Sequence, residues 1–193
     1  ILGVAACGVF ALTGCGGDKA ASSTAASSAA GQSALLQKIK KDGKLVVGTA
    51  PGFPPYEFLD TSVKDKKSIT GIDIKIAEAV AKKLGVKLEV QDMTFQSLLA
   101  SITTGKIDIA ISAITPTAER EKTVDFSDSY LVGKHTLLVR KEDAGKYKTL
   151  ADFNGKKIAV QKSSLQEKLT NEQIKDAQVV ALTKVPDALL ELQ

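Results

Sequence analysis

Four residues near the middle of the chain have the types needed to hold a small anion. Ser112, Ala113 and Thr115 follow the apolar run Ile107-Asp108-Ile109-Ala110-Ile111, and Arg120 lies within about one and a half helical turns of them. If the run is a strand, Thr115 and Pro116 read as an N-cap and N1 proline opening a short helix through Glu119, Arg120 and Glu121. Hydroxyls, helix N–H groups and a guanidinium would then meet beyond the carboxyl end of a strand, where open α/β sheets bind ligands. Such a set suits a carboxylate, because arginine presents a planar fork that engages both oxygens. Within Glu119-Arg120-Glu121-Lys122 the same side chain also reads as one more solvated charge, and spacing alone favours that plainer reading.

Phe53 and Phe95, two of six phenylalanines, fall at junctions on the same predicted sheet edge, where they could stack on a ligand side chain. Equally, Phe95 is a core residue and Phe53 a loop anchor between prolines. No Gly-x-Ser-x-Gly, P-loop, dinucleotide fingerprint or His-Glu-x-x-His occurs, and His135 stands alone. With both cysteines before residue 16 and a single histidine, the body of the chain lacks the makings of a Cys/His zinc site, an internal disulfide or a cysteine nucleophile. No cofactor or metal is expected. Lys and Arg number 26 against 22 Asp and Glu, without a long basic run, which disfavours nucleic acid and leaves no polybasic membrane patch.

These residues need a scaffold, and 193 residues at 44% hydrophobic suffice for one sizeable core or two small ones. Beyond residue 35, apolar runs alternate with helical patterns, the mark of an α/β sheet with crossover helices. Leu45 to Thr49 reads as a buried strand, and Tyr56 to Leu59 as an extended segment entering a polar hairpin that ends near Gly71. Asp73 reads as the N-cap of a helix burying Ile76, Ala77, Val80 and Leu84, with Glu78 paired to Lys82 and Gly85 as the stop. Val86 to Val90 alternates as a half-buried strand. Thr94 caps a helix in which Met93 staples to Leu98 and Gly105 ends the run. A second set follows: strand Thr136 to Arg140, helix near Leu150 to Phe153, strand Lys157 to Val160, helix from Leu165, strand Gln178 to Leu182, helix Val185 to Leu192.

The first residues read as an address. Ile1 to Thr13 matches the length of a secretory apolar region and is too short to span a bilayer, while the basic region that should precede it is missing, so the leader is expected to be partial. Leu12-Thr13-Gly14-Cys15 looks like a bacterial lipobox, with Cys15 the residue to receive diacylglycerol. From Ala20 to Ala34 every residue but Gln32 is Ala, Ser, Thr or Gly, which predicts a flexible tether.

Several motifs occur in order: Leu45-Val46-Val47-Gly48-Thr49, Phe53-Pro54-Pro55-Tyr56-Glu57-Phe58, Gly71-Ile72-Asp73-Ile74, Lys83-Leu84-Gly85, Gly105-Lys106-Ile107-Asp108, Thr115-Pro116-Thr117-Ala118-Glu119-Arg120 and Val124-Asp125-Phe126-Ser127. From about Lys44 onward the chain resembles the extracellular solute-binding proteins, family 3, of ABC importers for polar amino acids. The resemblance implies a two-lobed α/β fold, the type II periplasmic binding protein or Venus-flytrap arrangement, closing on one amino acid. It implies that Arg120 clamps the ligand α-carboxylate with Thr115 and the backbone at Ser112 and Ala113, that Phe53 and Phe95 flank the side chain, and that Gln161 to Gln166 face the cleft, with Ser164 the hydroxyl there. Implied partners are a free amino acid, the permease subunits of the importer, and the membrane through a lipid on Cys15; the protein is expected to be an extracytoplasmic monomer.

The layout expected is a partial leader (1–14), lipidated Cys15 and linker (15–34), lobe 1 (35–133) and lobe 2 (134–193), both lobes incomplete. In relatives the pattern continues past Gln193 through an Asp for the α-ammonium, the return strand of the hinge and helices completing lobe 1, so these residues are expected to be unable to close on a ligand. Ala50 stands where many relatives carry an Asp, which disfavours a basic ligand. Lys162-Ser163-Ser164 replaces a loop that more often contains glycine, and Asp128-Ser129-Tyr130 lacks a frequent proline. Two alternatives stay open: a dehydratase on the same scaffold, using Glu57 or His135, and a ligand-sensing ectodomain.

Overall fold

Alternation along the first strand organises the first lobe. In the computed structural model, which describes residues 29–62 and 68–193, β1 (Lys44–Thr49) sends Leu45 and Val47 to one face and Val46 to the other. On the first face they pack with Ile39 of α1 (Ala29–Asp42) and with Ala77 and Ala81 of α2 (Ile72–Leu84). On the second face Val46 and Ala50 meet Ile107 and Leu98, the latter opening α3 (Leu98–Thr103). Gly48 is fixed by this sandwich: a Cβ there would lie 2.5 Å from Ile107 Cδ1 and 3.1 Å from Leu98 Cδ2.

β1 pairs in parallel with β4 (Lys87–Asp92), from Lys44 opposite Lys87 to Thr49 opposite Asp92, and on its other side with the short β5 (Ile109–Ala110). The order β4-β1-β5 means that the chain leaves β1 in one direction and returns past it in the other. A crevice forms at such a reversal, beyond the carboxyl ends of the strands. Between β1 and α2, β2 (Phe58–Asp60) and β3 (Ser68–Thr70) form the antiparallel hairpin expected from the sequence. The second lobe is built on β6 (Lys157–Gln161) parallel to β7 (Gln178–Leu182), flanked by α4 (Leu165–Gln173) and α5 (Val185–Leu190) around Ile158, Val160 and Ile174.

Five expectations need correction. Helix α1 begins at Ala29, within the stretch read as tether; alanine is the strongest helix former, and Ile39 anchors the helix by packing into the core. The rest of the tether, the leader and Cys15 lie outside the described residues. Helix α2 is capped at Gly71, not at Asp73, whose side chain turns inward. Glu78 pairs with Lys75 at 2.8 Å rather than with Lys82. No helix opens at Thr115: the segment stays irregular until a single 3-10 turn at Arg120–Lys122. Thr136 to Arg140 is extended in pattern but not a strand, since none of the described strands pairs with it; Leu137 reaches the lobe 2 core while Leu138 is exposed.

Candidate ligand-binding site

A cavity of about 610 Å³ lies between the lobes, reaching from the carboxyl ends of β1, β4 and β5 along the whole of β6 to α5. Phe53 arrives from the loop after β1, Phe95 from the turn after β4, Ser112, Ala113 and Thr115 from the exit of β5, and Gln161 from the end of β6; with Arg120, all seven line its wall. Ser164 does not. Its hydroxyl caps α4, accepting the Glu167 N–H at 3.1 Å, and the side chain is buried. Lobe 2 meets the arginine instead through the neighbouring Ser163 carbonyl.

Arg120 is held on three sides. One terminal nitrogen donates to the Thr115 carbonyl at 2.8 Å, the other to the Ser163 carbonyl at 3.1 Å, and its carbon lies 5.6 Å from the centre of the Phe95 ring. Burial pulls its pKa down from the ordinary arginine value, because a desolvated cation lacks the stabilisation of water. No carboxylate among the described residues forms an ion pair with it. A guanidinium fixed by carbonyls and an aromatic face, with donors left over, is a receptor for an anion.

The wall also holds a buried polar group, Glu57, that sequence reasoning entered only as a possible acid. Glu57 is 2% exposed, positioned by the bridge between Phe53 and Glu57. Its Oε1 accepts from the Ser112 hydroxyl at 2.8 Å, and that hydroxyl accepts the Ala50 N–H at 3.1 Å. Its Oε2 is buried without a hydrogen-bond partner. Burial, with the nearby Asp73 carboxylate adding to it, pushes the Glu57 pKa up to about 9, so it is neutral at pH 7. The sequence signal was an acid between Tyr56 and Phe58 in an extended apolar segment; its burial depends on the turn that brings Glu57 back to Phe53. Ala113, expected to offer its backbone to the carboxylate, has its N–H engaged by Asp73 at 2.7 Å. His135 is on the wall, its Nδ1 3.1 Å from the Gln166 amide nitrogen.

Residues 45–191 match the sequence model of the bacterial extracellular solute-binding proteins, family 3. The chain belongs to that family. It is 39% identical over 172 residues to the arginine-binding extracellular protein ArtP of Bacillus subtilis, covering 89% of this chain and 58% of ArtP. It is 36% identical over 126 residues to the L-cystine-binding protein TcyJ of Escherichia coli K12, covering 65% and 46% of the two chains. An amino acid ABC transporter substrate-binding protein of Streptococcus pneumoniae, solved with L-arginine, superposes with a TM-score of 0.79 at 42% identity, covering 82% of this chain and 66% of that one. The family's two-lobed α/β fold is therefore that of this chain, which spans about half the length of the curated relatives it matches.

Proposed function

We propose that the protein captures a free L-amino acid between its lobes and delivers it to the membrane permease of an ABC importer, making and breaking no bonds. The observation that carries this reading is Arg120: a partly desolvated guanidinium without an anionic partner among the described residues, fixed on the wall of an interlobe cavity. The α-carboxylate would take the free donors of that fork, with Thr115 beside it, and Phe53 and Phe95 would border the side chain. The relatives' names add support, since ArtP and TcyJ are named for arginine and cystine. Ala50, expected to bear on the ligand's charge, packs in the lobe 1 core and is not on the cavity wall, so the panel must include both charge classes.

The dehydratase alternative gains little from the geometry. The free oxygen of Glu57 is shut away from the cavity's solvent, and His135 sits against Gln166. A lipid on Cys15 would hold the protein on the outer face of the membrane; among the described residues no helix is long and apolar enough to cross it. The test is calorimetry of the intact protein against free amino acids, arginine, cystine and histidine included, and against the corresponding amino-acid amides. Binding of an acid but not of its amide is the expected result, and indifference to the carboxylate overturns the reading.

A further inference from the structure

Asp73 is 0% exposed, forms no ion pair among the described residues, and sits in the first turn of α2 without capping it. A buried carboxylate is tolerated only when its oxygens are satisfied. Here they are satisfied by two segments distant in sequence. Oδ2 accepts the Ala113 N–H at 2.7 Å, and Oδ1 accepts the Tyr130 hydroxyl at 3.0 Å. Ala113 belongs to the ligand wall and has φ 46, a left-handed conformation that an alanine keeps only when its surroundings hold it. Tyr130 belongs to the stretch through which the chain leaves lobe 1 for lobe 2. Neither Asp73 nor Tyr130 is on the cavity wall.

Gly71 explains why the carboxylate points inward. A Cβ there would lie 2.1 Å from the Tyr56 carbonyl oxygen, so the chain enters α2 pressed against the loop that carries Glu57, and Asp73 follows two residues later on the inner side. The Asp73 N–H donates to that same Tyr56 carbonyl at 3.0 Å.

We propose that Asp73 is a positioning residue whose single carboxylate fixes the Ala113 turn of the ligand wall and the Tyr130 end of the interlobe crossing together, so that the shape of the wall and the path of the crossing are set as one unit. The proposal rests on the reading of the cavity as an amino-acid site, and it assigns Asp73 no contact with the ligand.

The test uses the intact protein with Tyr130→Phe, Asp73→Asn and the double variant. Asparagine offers one acceptor oxygen where aspartate offers two, so it cannot accept from both the Ala113 N–H and the Tyr130 hydroxyl. Three quantities are measured: affinity for the amino acid that the wild type binds, the chemical shift of the Ala113 amide proton, and its exchange rate. Asp73→Asn is expected to weaken binding about tenfold and to move the Ala113 amide signal upfield with faster exchange. Tyr130→Phe, which removes only a part-buried hydroxyl behind the Ala113 turn and takes nothing from the cavity lining, is expected to weaken binding about threefold and shift the same amide. The double variant is expected to match Asp73→Asn alone, because Tyr130 acts through that carboxylate. Additive losses, or an unmoved Ala113 amide in Tyr130→Phe, overturn the proposal. If Asp73→Asn fails to fold, Tyr130→Phe still decides it. The amide readings need no ligand, so a wild type that binds no amino acid defeats the functional reading while the coupling is judged separately.

Discussion

Replacing Glu57 by Gln should stabilise the protein, and by more as the pH rises. Glu57 has a pKa near 9 in the folded chain, chiefly because it is desolvated. In the unfolded chain it titrates near the ordinary carboxylate value. Between those values the unfolded state ionises while the folded state keeps its proton, so stability is greatest below the unfolded pKa and falls as pH rises through the window, levelling off above about 9. Each pH unit in that window costs up to about 1.4 kcal/mol, which makes the penalty at pH 7 at most about 3.5 kcal/mol. Glutamine copies the protonated acid: its oxygen can still accept from Ser112, and its amide can donate where the carboxylic O–H would, while never ionising. Chemical denaturation of wild type and Glu57→Gln at pH 5, 6, 7, 8 and 9 measures the difference. The expected curves nearly coincide at pH 5 and diverge steadily in favour of the variant. A difference that is constant with pH, or that shrinks as pH rises, would refute the argument that Glu57 is buried as a neutral acid.

Gly48→Ala should cost about 1 to 3 kcal/mol in a denaturant titration, because its Cβ would press on Ile107 and Leu98 in the middle of the lobe 1 core. Ser164→Ala removes the α4 cap and should lower stability by about 1 kcal/mol while leaving ligand affinity unchanged; a large loss of affinity would return Ser164 to the cavity. Asp108→Ala strips the acceptor from the buried Val46 N–H and the nearer of two carboxylate partners from Lys38, and should cost about 1 to 3 kcal/mol, read as a lowered thermal midpoint.

What the sequence showed and what it hid divide along physical lines. The strand Leu45 to Thr49, the stop at Gly85 and the wall positions Phe53, Phe95 and Arg120 were legible because each rests on local pattern or on an ordered string of motifs. Thr115-Pro116 carried a sound local signal for a helix start, yet the turn is held instead by Arg120 reaching back to the Thr115 carbonyl and by the left-handed Ala113, both set by tertiary contacts. Asp73 misled for a related reason: an acid at a helix start looks like a cap, and only the close approach of Gly71 to Tyr56 reveals that it faces inward. The Ala-rich segment looked like a tether because alanine is small; the helix it joins depends on Ile39 finding the core and on Lys38 reaching Asp108 at 2.8 Å, neither of which composition can show. Glu57 was the hardest to read, since nothing adjacent to it in sequence announces that it is buried against Ser112.

The central claim is that the Arg120 guanidinium holds the acidic end of a free amino acid. Calorimetry of the intact wild type and of Arg120→Ala, with the same amino acid that the wild type binds, tests it most directly. Loss of the guanidinium leaves a carboxylate unpaired in the cavity, at a cost of about 2 to 5 kcal/mol, so affinity should fall by tens to thousands of fold. Equal affinity in the two proteins would show that the ligand's acidic end is held elsewhere.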